Sequence, residues 1–133
     1  MRLLLDTHIW LWSLLDPNRL SRRVSRGLES ASNELWLSPI SVWETLLLAE
    51  RERIQLQIDA TRWLEVVLRD FPLRDATLTR EVAVASRSID VTHEDPADRF
   101  IAASAIVYGL TLVTADDRLL GSKQYRTLSN REK

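Results

Sequence analysis

The chain has 133 residues, of which 45% are hydrophobic and 28% charged, with a formal net charge of -1 and no cysteine. Residues 1–133 are long enough to bury a hydrophobic core of their own and are read as a single domain. The composition excludes disulfide scaffolds, thiolate metal sites and global attraction to a polyanion, and it makes a reducing cytoplasm the expected compartment.

The start, MRLLLDTHIWLW, is apolar but interrupted by Asp6 and His8, and no small-residue cleavage site follows. No apolar run approaches the roughly 20 residues of a spanning helix, so neither a signal peptide nor a membrane span is expected. Leu3 to Leu5 read as a buried strand ending at Asp6. Trp10, Leu11, Leu14 and Leu15 follow at helical spacing, and Asp16-Pro17-Asn18 closes that helix. In RLSRRVSRG, Arg19, Arg22, Arg23 and Arg26 recur at three- and four-residue spacing, as on one helix face, and a basic helix is expected near residues 21–30. Such a face is either simply solvated or a local positive surface for RNA phosphates or an acidic protein tail.

ELWLS (34–38) is the second strand, with Ser38 and Pro39 opening a helix over residues 39–54 and a further helix over 60–70. A short third strand is placed at Pro72-Leu73, then helices over 77–88 and 97–108. LTLVTADD (110–117) is a strand ending in acids, and residues 126–128 form a last edge strand. Short apolar strands alternating with helices predict an α/β fold with a parallel sheet covered on both faces. In such sheets ligands sit at the carboxyl ends of the strands. Asp6 and Asp116, with its neighbour Asp117, would point at that one edge.

Each acid has a structural use as well as a chemical one. Asp6 or Thr7 could cap the helix that starts at His8, and Asp116 could open a turn. In HEDPADRF, Asp95 suits the N-cap, Pro96 the first helical position and Asp98 the acidic first turn. Glu44 differs. At 100° per residue it falls in the arc of Val42, Trp43, Leu46, Leu47 and Leu48, away from Ser41 and Thr45. A carboxylate on a buried face needs a partner, either an arginine such as Arg99 or a cation. Convergent carboxylates repel one another and raise their pKa values or demand a cation. With no Cys or His cluster, an oxygen-only set favours Mg²⁺ or Mn²⁺, ions that serve phosphate chemistry.

Four stretches in order, LLLDTHIWLW (3–12), ISVWE (40–44), DPADRFIAASA (95–105) and LVTADDRL (112–119), resemble the PIN-domain family, and within it the VapC-type ribonuclease toxins of bacterial toxin–antitoxin pairs. The resemblance implies a three-layer α/β/α sandwich and an acidic metal site of Asp6, Glu44, Asp98 and Asp116, with Asp6 and Asp98 as direct ligands. It implies that Thr114 positions water or phosphate, that Thr7 assists, and that Asp95 and Arg99 support the third acid. His8 and His93 stand outside this set. It further implies Mg²⁺- or Mn²⁺-assisted endoribonuclease activity, a homodimer, and a cognate antitoxin whose C-terminal segment wraps the toxin. The first helix, apolar on nearly all sides through Trp10, Leu11, Trp12 and Leu14, suits such a partner or a buried layer.

Two other classes remain. An aspartate ending a first parallel strand can be a phosphoryl-accepting nucleophile, but haloacid-dehalogenase-like phosphatases place a second aspartate where His8 stands. Receiver domains pair acids at the first strand and place a lysine near the last, and Lys123 is a poor match. A non-catalytic or DNA-binding PIN-like module would have no need of the full acidic set.

Overall fold

Short parallel strands alternate with helices in the computed structural model, which describes residues 1–131. In chain order they are β1 (Arg2–Leu5), α1 (Thr7–Leu15), α2 (Arg22–Glu29), β2 (Glu34–Leu37), α3 (Pro39–Glu50), α4 (Ala60–Asp70), β3 (Arg74–Asp75), α5 (Arg80–Ala85), α6 (Pro96–Tyr108), β4 (Thr111–Thr114) and β5 (Arg126–Ser129). The sheet order is β3-β2-β1-β4-β5, with every pairing parallel.

The central strand reads as unbroken leucine because both its faces are covered. Leu3 and Leu5 join Ile9, Trp10, Val24 and Leu64 in one core, beneath α1, α2 and α4. Leu4, between them, packs on the other face with Ile101, Ala102 and Leu112. This alternation is the period of two of a strand, and it produces the three α/β/α layers the sequence predicts. Small residues bring α6 close to the sheet: Ala102, Ala103 and Ser104 are fully buried. Gly109 ends that helix at φ 64°, with its N–H bonded to the carbonyls of Ala105 and Ile106. Only glycine adopts that left-handed turn without strain, and it delivers the chain straight into β4.

Several boundaries move from their expected places. The third strand lies at Arg74–Asp75, beyond Pro72-Leu73, because a proline cannot donate to the ladder. α3 stops at Glu50 rather than 54, where the chain turns through Glu52 at φ 55°. α5 begins only after Thr79, whose side chain caps it. Among the described residues no helix is long and apolar enough to cross a membrane.

The chain lays down β1, β2 and β3 in one direction, then returns through β4 and β5 on the far side of β1. The crevice between the carboxyl ends of β1 and β4 is therefore the switch point, where open parallel sheets bind ligands. Asp6 follows β1 and Thr114 ends β4.

Candidate metal centre

Asp6 stands where the β1–β4 ladder runs out, its own N–H still bonded to the Val113 carbonyl at 3.0 Å. It caps α1 and is only 7% exposed. Its Oδ1 accepts from the Thr7 N–H at 2.9 Å, and its Oδ2 accepts from the Thr114 hydroxyl at 2.6 Å. Thr114 Oγ1 in turn accepts from the Asp116 N–H at 3.0 Å, so one hydroxyl orders two acids. Asp116 faces the site, whereas Asp117 is exposed and pairs with Arg131. The cap and the chemical uses of Asp6 thus coincide.

Glu44 arrives from α3, and its setting differs from the expectation. Val42, Leu46 and Leu48 of the apolar arc pack against the core, but the most deeply buried positions of α3 lie outside that arc. Ser41 and Thr45 are fully buried, while Trp43 is 53% exposed. Those small polar residues let α3 approach Thr7, the first residue of α1. The Thr7 hydroxyl lies 2.8 Å from Ser41 Oγ and donates to Glu44 Oε1. The arginine alternative does not hold: Arg99 donates from Nε to the Ser86 carbonyl at 2.9 Å, and from one terminal nitrogen to Val91 and His93 carbonyls at 3.3 and 3.0 Å. Its cation therefore ties the 86–93 loop to α6.

Asp95 opens α6 as expected, accepting from the Ala97 and Asp98 N–H groups at 2.9 and 3.2 Å. Asp98, the third residue of α6, aims at the same crevice. Sequence reasoning left out His93, which the structure puts at the centre. The Asp95 N–H lies 3.4 Å from His93 Nδ1, which makes Nδ1 the acceptor and Nε2 the protonated nitrogen. Nε2 then faces Asp98 Oδ2 at 2.6 Å and Asp116 Oδ2 at 3.3 Å. His93, Asp98 and Asp116 bring one ligand atom each within 4.8 Å of one another. The signal was local: His93 stands five residues before Asp98, on the loop that Arg99 fastens.

Residues 3–121 match the PIN domain family. The chain belongs to the PIN-domain family. This PIN domain is 39% identical over 127 residues to Ribonuclease VapC22 of Mycobacterium tuberculosis, an alignment covering 95% of each protein. Its fold is also that of VapBC2 from Rickettsia felis, solved bound to a DNA fragment from their promoter, with a TM-score of 0.73 at 16% identity over 97% of this chain and 98% of that one. FitAcB from Neisseria gonorrhoeae superposes with a TM-score of 0.67 at 23% identity, over 96% of this chain and 97% of that one.

The electrostatics of the PIN domain centre follow from burial and crowding. Burial pushes the Asp6 carboxyl up, partly offset by the bonds from Thr114 and Thr7. Burial likewise raises Glu44 against the Thr7 bond, with Asp6 and Asp95 repelling it further. Asp98 is pushed up to about 6 by burial and by the charges of Asp6, Asp95 and Glu44. Asp116 goes the other way: burial pushes it up, but Arg118 bonds both its oxygens at 3.2 Å and holds its pKa down. Three acids with raised pKa values and oxygen donors in one crevice are a set that a divalent cation fits.

The Asp98 shift has a measurable consequence without any metal. Its pKa is 3.8 unfolded and about 6 folded, so its protonated form favours the fold and that contribution fades as pH rises through about 6. The metal-free protein should lose about 1.4 kcal/mol between pH 5 and 7.5 from this group. Asp98→Asn should flatten that slope and raise the melting temperature at pH 7.5, as followed by circular dichroism. An unaltered pH profile in the variant would refute the assignment.

Proposed function

We propose that this chain is an endoribonuclease toxin that cleaves RNA phosphodiester bonds with Mg²⁺ or Mn²⁺ and is neutralised by a cognate antitoxin. One observation supports the reading: Asp98 and Asp116 bring carboxylate oxygens within 4.8 Å of each other at the switch point of the sheet, beside the Thr114 hydroxyl that holds Asp6. Kinship to a named ribonuclease over nearly the whole chain agrees with it.

Asp6 and Asp98 would hold the cation directly, with Glu44 and Asp116 completing the oxygen set. The bound ion neutralises phosphate charge and activates water for attack. The protein supplies position. Thr114 would hold Asp6 in place, and Thr7 would hold Glu44 through its Oε1. His93 holds Asp98 and Asp116 in register, and Arg99 holds the His93 backbone. Arg99 thereby positions the site from behind and does not touch RNA. A phosphoryl-accepting role for Asp6 is disfavoured because His8 stands two residues on, where such phosphatases place a second aspartate.

Two surfaces suit partners. A groove of about 670 Å³, lined by Trp10, Leu14, Leu28, Trp63 and Phe71, is an apolar seat for an antitoxin segment. A second, of about 610 Å³, runs beside the centre between Ile40, Trp43, Leu47 and Phe100. Exposed Trp43 makes it the face that a second copy would cover. A reducing cytoplasm suits a chain without cysteine.

Purified protein should cut RNA only with Mg²⁺ or Mn²⁺ present and stop when the ions are chelated. Asp6→Asn and Asp98→Asn should each lower the rate at least a hundredfold with the far-ultraviolet spectrum preserved. His93→Ala should weaken the ion by about tenfold, read calorimetrically. Equal cleavage by wild type and both Asn variants would sink the site assignment. For the pairing of copies, Trp43→Arg should turn a dimer into a monomer in light scattering, and an unchanged mass would exclude that face.

A further inference from the structure

The basic helix α2 starts at the functional edge of the sheet, and one asparagine places its start there. The Asn130 N–H donates to the Thr114 carbonyl at 2.9 Å. Its side chain accepts from the Ser21 N–H at 2.6 Å and donates to the Arg19 carbonyl at 3.0 Å. Thr114 is the residue whose hydroxyl orders Asp6. A single side chain therefore separates the start of the basic helix from the residue that anchors the acidic centre. Arg19, Arg22, Arg23 and Arg26 are all exposed, and no acid stands between Pro17 and Leu28.

The outer face of α1 connects the two. His8, two residues after Asp6, is exposed. Its ring lies 5.8 Å from that of Trp12, at an interplanar angle of 53°. The Arg19 guanidinium sits over Trp12, 4.3 Å from the ring centre. Ring, ring and guanidinium form a ladder leading from the acids to the arginines. Flat groups interleaved with cations are what splayed bases and their phosphates recognise. An acidic peptide needs the charge but has no use for the rings. A duplex keeps its bases stacked on each other, away from such a ladder.

We propose that His8, Trp12 and Arg19, with Arg23 and Arg26 beyond them, carry a single-stranded RNA segment out of the acidic centre. This rests on the ribonuclease reading and adds the strand form and its path. The cation centre takes one phosphate, and the arginines take phosphates further along the same strand. A chain of net charge -1 thereby acquires a local polyanion track.

The test uses metal-free protein, so that nothing is cut, and a fluorescein-labelled 12-nucleotide single-stranded RNA followed by anisotropy. The double variant Arg23→Glu/Arg26→Glu should bind at least tenfold more weakly. Its log affinity–log salt slope should be shallower by about 1.4, from roughly 0.7 per phosphate contact in single strands. Trp12→Ala should weaken binding at least fivefold with the slope unchanged, and duplex RNA of equal length should bind more weakly than the single strand. Unchanged affinity in the arginine variant would overturn the proposal, since those exposed changes leave the core untouched. So would displacement of the RNA by a polyglutamate peptide at concentrations that match unlabelled RNA, which would assign the face to an acidic protein tail. Cleavage with Mn²⁺ is scored separately. A wild type that cuts while the arginine variant binds normally refutes the path alone. A wild type that never cuts, with binding lost in the variant, refutes the nuclease reading alone.

Discussion

A single hydroxyl hydrogen, shared between the ends of two neighbouring strands, organises this molecule's chemistry. Thr114 at the end of β4 donates it to Asp6 at the end of β1, and accepts the Asp116 N–H on its other side. A carboxylate that is only 7% exposed is costly without such donors. Because the bond crosses the switch point, β1 and β4 must pair in register for the acid to be held at all. The sheet is in this sense a device for keeping one charge still.

Around that bond the fold accumulates like charge and does little to neutralise it. Arg99 is a buried cation beside the acids, yet its donors go to three backbone carbonyls. Arg118 does neutralise, but it reaches Asp116 alone and from the solvent side. Asp6, Glu44 and Asp98 are left to repel one another. That repulsion is a stored cost which a divalent cation relieves, so loss of stability and capacity for binding have one origin. His93 tempers the repulsion through Nε2, which faces both Asp98 and Asp116.

The surface divides by the same logic. The apolar face of α1 is spent twice, Trp10 and Leu11 in the core and Leu14 in the groove shared with α2 and α4. Its remaining face carries His8 and Trp12, and the basic helix begins where that face ends. One nine-residue helix thus meets the core, a prospective protein partner and a prospective nucleic acid on different sides.

Local chemistry was legible along the chain. The leucine run, the prolines after Ser38 and Asp95, and the acids at the ends of strands each report a geometry that spans only a few neighbours. From them came the parallel α/β architecture, the candidate edge and the four acids proposed for it. What could not be read was which faces meet. A helical wheel placed Ser41 and Thr45 on the outside of α3, because it scores apolarity. Those residues are buried since only small side chains let α3 approach Thr7. His93 stood outside the acidic set, and Arg99 looked like a helper of its neighbouring acid. Their bonds depend on how α6 settles on β4 and draws the 86–93 loop with it, a distance relation that no local period encodes. The sequence by itself determined which residues could carry charge to the crevice. The tertiary structure decided which of them touch, because packing across the sheet sets the last few ångströms.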